Sequence, residues 1–280
     1  MQSILQVKNQ QKNYFNMNKK LDLHIIMPMA GEGQRFKDAG YDISKPLIEI
    51  DNSTIYEKAI SSLDYFHTDD KRNINYTFIV REDFKKDNIE DRIHKSFNNA
   101  NIIYVDKTTN GALETSYLAK PYIKDDEGVI LMDCDVYFSS ITYVNEIKKQ
   151  LSKRIENVNP CLLTFENDNP RYSYVKLDKK GFASEVVEKK VISNNAILGC
   201  YFVGTGHLFK NIAATVIERW YDKKIDSKEI YTSLLFNEYI LHRKVEVVKI
   251  NHCSGEYYVS MGTPEEFEEA KLIYENGKNI

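Results

Sequence analysis

Short apolar, β-branched runs alternate with stretches of helical periodicity along the first half of the chain. The pattern predicts strands at 23–29, 75–80, 101–105 and 128–132, and helices at 54–66, 84–96, 111–119 and 141–152. Alternation of this kind argues for a mostly parallel sheet covered on both faces. Apolar runs at 159–165, 173–178, 183–188 and 196–203 follow with short connections. They suggest antiparallel strands added to the sheet, or a small lobe folding over it. Helices at 206–220 and 227–241 and strands near 245–250 and 256–260 come next. A final helix opens at Thr263-Pro264-Glu265-Glu266, with Thr as N-cap, Pro at N1 and acids in the first turn. No internal repeat or composition break divides the chain, so the economical reading is one α/β domain over 21–280. Residues 1–20 are polar and rich in Asn, Gln and Lys, and read as a loose tail without the apolar core of a signal peptide. Met17 could serve as an alternative start.

Composition narrows the class. The 280 residues can form one large domain or two small ones. With 42% hydrophobic and 28% charged residues, the balance is that of a soluble globular protein. A formal charge of −3 argues against a nucleic-acid-coating surface, and no apolar run approaches a membrane span. Cys134, Cys161, Cys200 and Cys253 fall in no metal-binding spacing; three sit within or beside apolar β-like runs, which suggests buried free thiols and fits a reducing cytoplasm. The six histidines are scattered, and none is assigned to catalysis.

Chemistry concentrates at two places. The first is His24-Ile25-Ile26-Met27-Pro28-Met29-Ala30-Gly31-Glu32-Gly33-Gln34-Arg35-Phe36, followed by Lys45-Pro46-Leu47-Ile48. An apolar strand runs into a loop whose glycines let main-chain N–H groups approach phosphate oxygens. Arg35 adds a planar charged fork and Lys45 a compact point charge. The loop lacks the third glycine of a dinucleotide fingerprint and the Gly-Lys-Ser/Thr of a Walker A loop. The second place is Val129-Ile130-Leu131-Met132-Asp133-Cys134-Asp135, an apolar strand ending in two carboxylates at i, i+2. In extended chain both would share one face, where Mg²⁺ between protein and phosphates would sit; otherwise the acids simply end the strand in solvent.

The N-terminal string, G-x-G-x-R-F with a downstream K-P-L-I, resembles the sugar nucleotidyltransferase family, the pyrophosphorylases that make nucleoside-diphosphate sugars. The resemblance implies a Rossmann-like, GT-A-type α/β/α sandwich with a mixed, mostly parallel sheet. It implies transfer of a nucleoside monophosphate from a nucleoside triphosphate to a sugar 1-phosphate, with release of pyrophosphate. Ala30, Gly31, Gly33 and Arg35 would hold the triphosphate, and Lys45 would contact the phosphates during transfer. Mg²⁺ would sit on Asp135, with Asp133 shared or behind it. The turn Thr108-Thr109-Asn110-Gly111 resembles the base-reading turn, with Gly111 before a helix. Glu188 would meet sugar hydroxyls, Lys189 the sugar phosphate, and Gly199 would let the ring pack on backbone, or else mark a bulge in a core strand. Nucleic acid and membrane are not expected partners, and a homo-oligomer is compatible with this reading.

Two departures stand out. Lys190 replaces the usual Pro after Glu-Lys, and Ser260, before Gly262-Thr263, stands where many members carry a second metal-binding Asp. Three alternatives follow: a cytidylyltransferase acting on a non-sugar phosphate, a GT-A glycosyltransferase that consumes a nucleotide sugar, and a nucleotide-sugar-binding subunit without turnover.

Overall fold

The computed structural model describes residues 20–68 and 72–275, so the tail expected over 1–20 lies, apart from Lys20, outside the described residues. The elements run β1 (Leu23–Met29), α1 (Gln34–Asp38), the hairpin β2 (Glu49–Ile50) and β3 (Ser53–Thr54), α2 (Ile55–Ser61) and α3 (Tyr65–Thr68). Then come β4 (Ile74–Arg81), α4 (Ile89–Ser96), β5 (Asn101–Val105), α5 (Ala112–Tyr117), β6 (Gly128–Met132), β7 (Val136–Ser139) and α6 (Ile141–Gln150). The second half holds β8 (Cys161–Glu166), β9 (Tyr174–Leu177), β10 (Ala183–Val187), β11 (Asn195–Thr205), α7 (Gly206–Tyr221) and α8 (Leu234–His242). It closes with β12 (Glu246–Lys249), β13 (Tyr257–Ser260) and α9 (Pro264–Glu275).

β1 lies between β4 and β6, parallel to both, and β5 extends the parallel set beyond β4. On the other side β11 runs antiparallel to β6 and carries β8 and β9 along its length. β12 adds parallel to β8 and β10 antiparallel to β9, so in this nine-stranded sheet only β10 and β11 oppose the rest. The fold is therefore the expected α/β, Rossmann-like arrangement with a mixed, mostly parallel sheet. The antiparallel additions join the sheet itself and do not form a separate lobe.

Both faces are covered, and the strand pleat shows it. Leu23, Ile25 and Met27 pack on one face with α2, α4 and α6, while Ile26 packs on the other with α5, α7 and α8. β6 divides the same way, Ile130 and Met132 against Val129 and Leu131. Each fully buried side chain of this size contributes about 1.5–3 kcal/mol, which sets the register firmly. Thr54 and Glu57 form a capping box at α2, and Ser140 and Thr205 cap α6 and α7.

Three predicted helices change. The segment 54–66 breaks at 62–64 into α2 and α3, and 84–96 breaks at Asn88, whose φ of 55° leaves the helical region. The segment 227–241 is helical only over Leu234–His242. Before that, residues 227–233 run irregularly, because Ile230 N donates to Asn110 O at 2.8 Å and Ile230 O accepts from Leu113 N at 3.0 Å. Gly111 makes this pairing possible. Its φ is 151°, and a Cβ there would fall 2.6 Å from the Ile230 backbone. β7 was not foreseen either; it pairs antiparallel with β13 and brings Ser260 opposite Val136.

At the amino ends of the central strands lies a sealed polar cluster. His24 Nδ1 is 2.8 Å from Glu127 Oε1 and its Nε2 2.8 Å from Thr77 Oγ1, all three residues being buried. Lys124 N and Asn75 Nδ2 donate to the same carboxylate. Burial opposes the Glu127 charge, but the hydrogen bonds with His24 and Lys124 outweigh it and hold the carboxyl below its usual value.

Two stability predictions follow from these contacts. A depressed carboxyl pKa contributes stability above the unfolded value of about 4.3 and loses it as pH falls. Glu127→Gln should therefore cost about 1–3 kcal/mol near pH 7, and its gap from wild type should narrow in denaturant titrations below about pH 4.5; a gap constant with pH would refute the linkage. Gly111→Ala should destabilise by about 2 kcal/mol or more through strain and the Ile230 clash. Gly31→Ala, with nothing within 4 Å of the added methyl, should stay within about 0.5 kcal/mol in thermal melts.

Candidate active site

The parallel pairing of β1 and β6 places their carboxyl ends side by side. β1 delivers Ala30, Gly31 and Gly33, and β6 delivers Asp133 and Asp135. Ligands of open α/β sheets bind outside these carboxyl ends, and two cavities open there. One, of about 340 Å³, is lined on one side by Ala30, Gly31, Gly33 and Lys45 and on the other by Thr108, Thr109 and Gly111. The second, of about 220 Å³, is walled by tyrosines and by Arg171, Ser173, Glu188 and Gly199. Asp133 and Asp135 line both cavities, so the two meet across these acids.

The two carboxylates converge for a reason other than strand alternation. Residues 133–135 form a turn after β6, not extended chain. The turn is held by Asp133 N donating to Gly199 O at 2.7 Å, where β11 slips register between Ile197 and Tyr201. A Cβ on Gly199 would lie 2.2 Å from Asp133 Oδ2. Gly199 is thus the bulge glycine, and the room it leaves is filled by Asp133. It also lines the second cavity.

Lys45 Nζ donates to Asp135 Oδ2 at 2.5 Å and to Gly262 O at 3.2 Å, and lies 5.4 Å from the Phe36 ring centroid. Burial works against the ammonium charge, but Asp135 beside it prevails and raises its pKa. Burial and then the Asp135 charge push Asp133 well above the ordinary carboxylate range. The same two causes push the Cys134 thiol up to about 12, which leaves it inert as a nucleophile.

The remaining expected residues fall in different places. Glu188 lines the second cavity and accepts from Ser233 Oγ at 2.8 Å and from Ser173 Oγ. Lys189 is exposed and outside that lining, with its Nζ on Tyr231 OH at 3.0 Å. Arg35 is exposed on α1, two residues beyond Gly33, and lines neither cavity. Ser260 lines the second cavity, one residue before Met261, whose N–H donates to Asp135 O at 2.8 Å. Among the described residues no group of three or more His, Cys, Asp or Glu is arranged to hold a metal.

Sequence reasoning missed Arg171, Ser173, Tyr231 and Ser233. The polar, proline-bearing stretch Asn167-Asp168-Asn169-Pro170 marked a loop just before Arg171. Reading 227–233 as helix concealed the other two. No helix among the described residues is long and apolar enough to cross a membrane.

Solved structures of known proteins share this fold. The nucleoside-diphosphate-sugar pyrophosphorylase from Vibrio cholerae RC9 is 19% identical, covering 89% of this chain and 99% of that one, with a TM-score of 0.72. A UDP-glucose pyrophosphorylase complexed with UDP-glucose is 16% identical over 92% and 100% of the two chains, at 0.68. The inositol-1-phosphate CTP transferase from T. maritima is 13% identical over 94% and 99%, at 0.66. At such identities the likeness carries the fold. No curated protein sequence matches the chain. The nucleotidyl transferase family model matches residues 23–277. With nearly the whole described chain inside that match and both expected motifs at the carboxyl edge of the sheet, this chain belongs to the nucleotidyl transferase family.

Proposed function

We propose that this nucleotidyltransferase moves a nucleoside monophosphate from a nucleoside triphosphate to a sugar 1-phosphate, releasing pyrophosphate and a nucleoside-diphosphate sugar. The observation that carries the reading is the pair of cavities meeting across Asp133 and Asp135. A triphosphate in the cavity beside Gly31, Gly33 and Lys45 would present its α-phosphorus to an acceptor in the other. An acceptor phosphate oxygen bonds to that phosphorus, the bond to the bridging oxygen breaks, and pyrophosphate leaves.

The residues supply what this chemistry needs. A phosphate monoester has a second pKa near 6 and is already largely dianionic at neutral pH, so no general base is required. What remains is to position two mutually repelling anions and to offset charge on the leaving group. Lys45, charged and beside the shared acids, serves the second task in this reading, and exposed Arg35 would reach the outer phosphates from α1. Thr108, Thr109 and Gly111 would face the base, while Glu188 and its two serine partners suit a polyhydroxylated ring. Asp135 and Asp133 would hold Mg²⁺. The donor set fits, since Mg²⁺ commonly takes one or two carboxylates and completes its shell with phosphates and water. When bound it would add positive charge at the phosphates.

Family membership favours nucleotidyl over glycosyl transfer. A polyol phosphate is the second reading for the acceptor, because one structural neighbour is an inositol-1-phosphate CTP transferase and because the hydroxyl-rich Glu188 surroundings suit either ring.

The test is pyrophosphate release with Mg²⁺, crossing ATP, CTP, GTP, UTP and dTTP with sugar 1-phosphates and polyol phosphates. Release should require one triphosphate and one acceptor together; use of polyol phosphates alone would favour the second reading. In that assay a folded Asp135→Ala variant should lose about 10²–10³ in turnover, and near-normal turnover would refute its role. With acceptor limiting, the wild-type rate should fall below about pH 6 as the acceptor monoester takes up a proton.

A further inference from the structure

The second cavity poses an electrostatic problem. Asp133, Asp135 and Glu188 all line it, yet on the reading above its ligand is an anion. Lys189 does not solve this from within, because it lies outside the lining, with its Nζ 4.5 Å from the Tyr231 ring centroid; Arg171 is exposed as well, so the lining and not exposure separates the two. The basic side chain that does line the cavity is Arg171. We propose that Arg171 binds the phosphate group of the acceptor and thereby makes the enzyme selective for phosphorylated acceptors. The proposal rests on the nucleotidyl-transfer reading and assigns a residue to its acceptor half.

The guanidinium is held ready for this task. Its Nη2 donates to Glu266 Oε1 and to Tyr172 OH, and its Cζ lies 4.6 Å from the Tyr172 ring centroid. Glu266 sits in the first turn of α9, so the tether joins the loop before β9 to the carboxyl-terminal helix. Arginine carries five N–H donors in a rigid fork that matches phosphate oxygens two at a time. With Nη2 engaged, Nε and Nη1 keep no partner among the described residues and remain to donate. A side chain already held in place loses little rotamer freedom on binding. Ser260 contributes by being neutral. It lines the same cavity, where an aspartate would add one more negative charge to repel a phosphate dianion.

The two cavities then follow one plan. Each has a single basic side chain in its lining, Lys45 on the nucleotide side and Arg171 on the acceptor side, with the two aspartates between them. Each base is also tied to the segment after β13, Lys45 to Gly262 O and Arg171 to Glu266.

Steady-state kinetics of the full chain, with the substrate pair selected by the release panel, test the assignment. Arg171→Gln should raise acceptor KM about 10- to 100-fold, the loss expected for a hydrogen bond to a charged group, and leave triphosphate KM within about twofold. Arg171→Lys should recover part of the loss, because it restores charge but not the fork. Glu266→Gln cuts the tether yet keeps the cation, so its effect on acceptor KM should be far smaller. Equal effects of Arg171→Gln and Glu266→Gln, or a larger effect of Lys189→Ala, would overturn the proposal. If no pair in the panel reacts, the transfer reading itself fails, and calorimetric titration with glucose 1-phosphate decides on Arg171 separately. Binding by wild type that Arg171→Gln loses would support the assignment; equal binding, or none by wild type, would overturn it.

Discussion

The pairing of β1 with β4 on one side and β6 on the other, parallel in both cases, governs the rest of the molecule. Parallel neighbours end on the same edge, so the loop after Met29 and the turn after Met132 must meet. The register, with Ile26 opposite Leu131, is locked because a one-residue slip would turn every apolar side chain to the wrong face. Backbone pairing and two-sided burial at the sheet centre thus set the separation of groups that would act on phosphates at its edge. The sealed His24–Glu127 cluster at the opposite ends of these strands ties β1, β4 and the approach to β6 together.

At the site edge, charge is arranged with little to spare. Two aspartates lie in a turn packed against β11, and Asp133 fits only because residue 199 has no side chain. One aspartate is matched by Lys45, whose own positive charge is strengthened by that partner. The other sits where burial disfavours its charge. This arrangement suits anions that arrive with their own counter-charge, and it explains how a chain without a candidate catalytic His or Cys can still be organised for phosphate chemistry.

The walls of the site come from parts of the chain that look unremarkable on their own. The irregular stretch 227–233 is drawn from helical geometry by two backbone hydrogen bonds to the turn around Gly111. It thereby presents Tyr231 and Ser233 to the second cavity, while the Gly111 side of the same join lines the first. The short strand β7 draws β13 across and so carries Ser260 and the start of α9 to the cavity edge. Each is a long-range pairing with a local consequence for the site.

How far the sequence could be read follows from the range of the forces involved. The strands at 23–29, 101–105 and 128–132 were legible to the residue; the first and last are buried parallel strands, which read as continuous apolar runs bounded by polar turns, and the half-buried edge strand at 101–105 still carries a β-branched, aromatic run. The glycine loop after β1 and the Asp-x-Asp turn were legible as motifs because their residues are adjacent in the chain. Interruptions in regular periodicity were not: Asn88 breaks a helix by its backbone angle, and 227–233 leaves one because Ile230 pairs with a turn more than a hundred residues earlier. The same holds for Arg171, an ordinary loop arginine until Tyr172 and Glu266 fix it at a cavity wall. Local propensity and side-chain chemistry, carried in each short segment, determined the strands, the fold class and the two motifs at the carboxyl edge of the sheet. Only the tertiary structure decided which distant side chains complete the site, because hydrogen bonds and ion pairs between remote segments exist only once burial has brought those segments together.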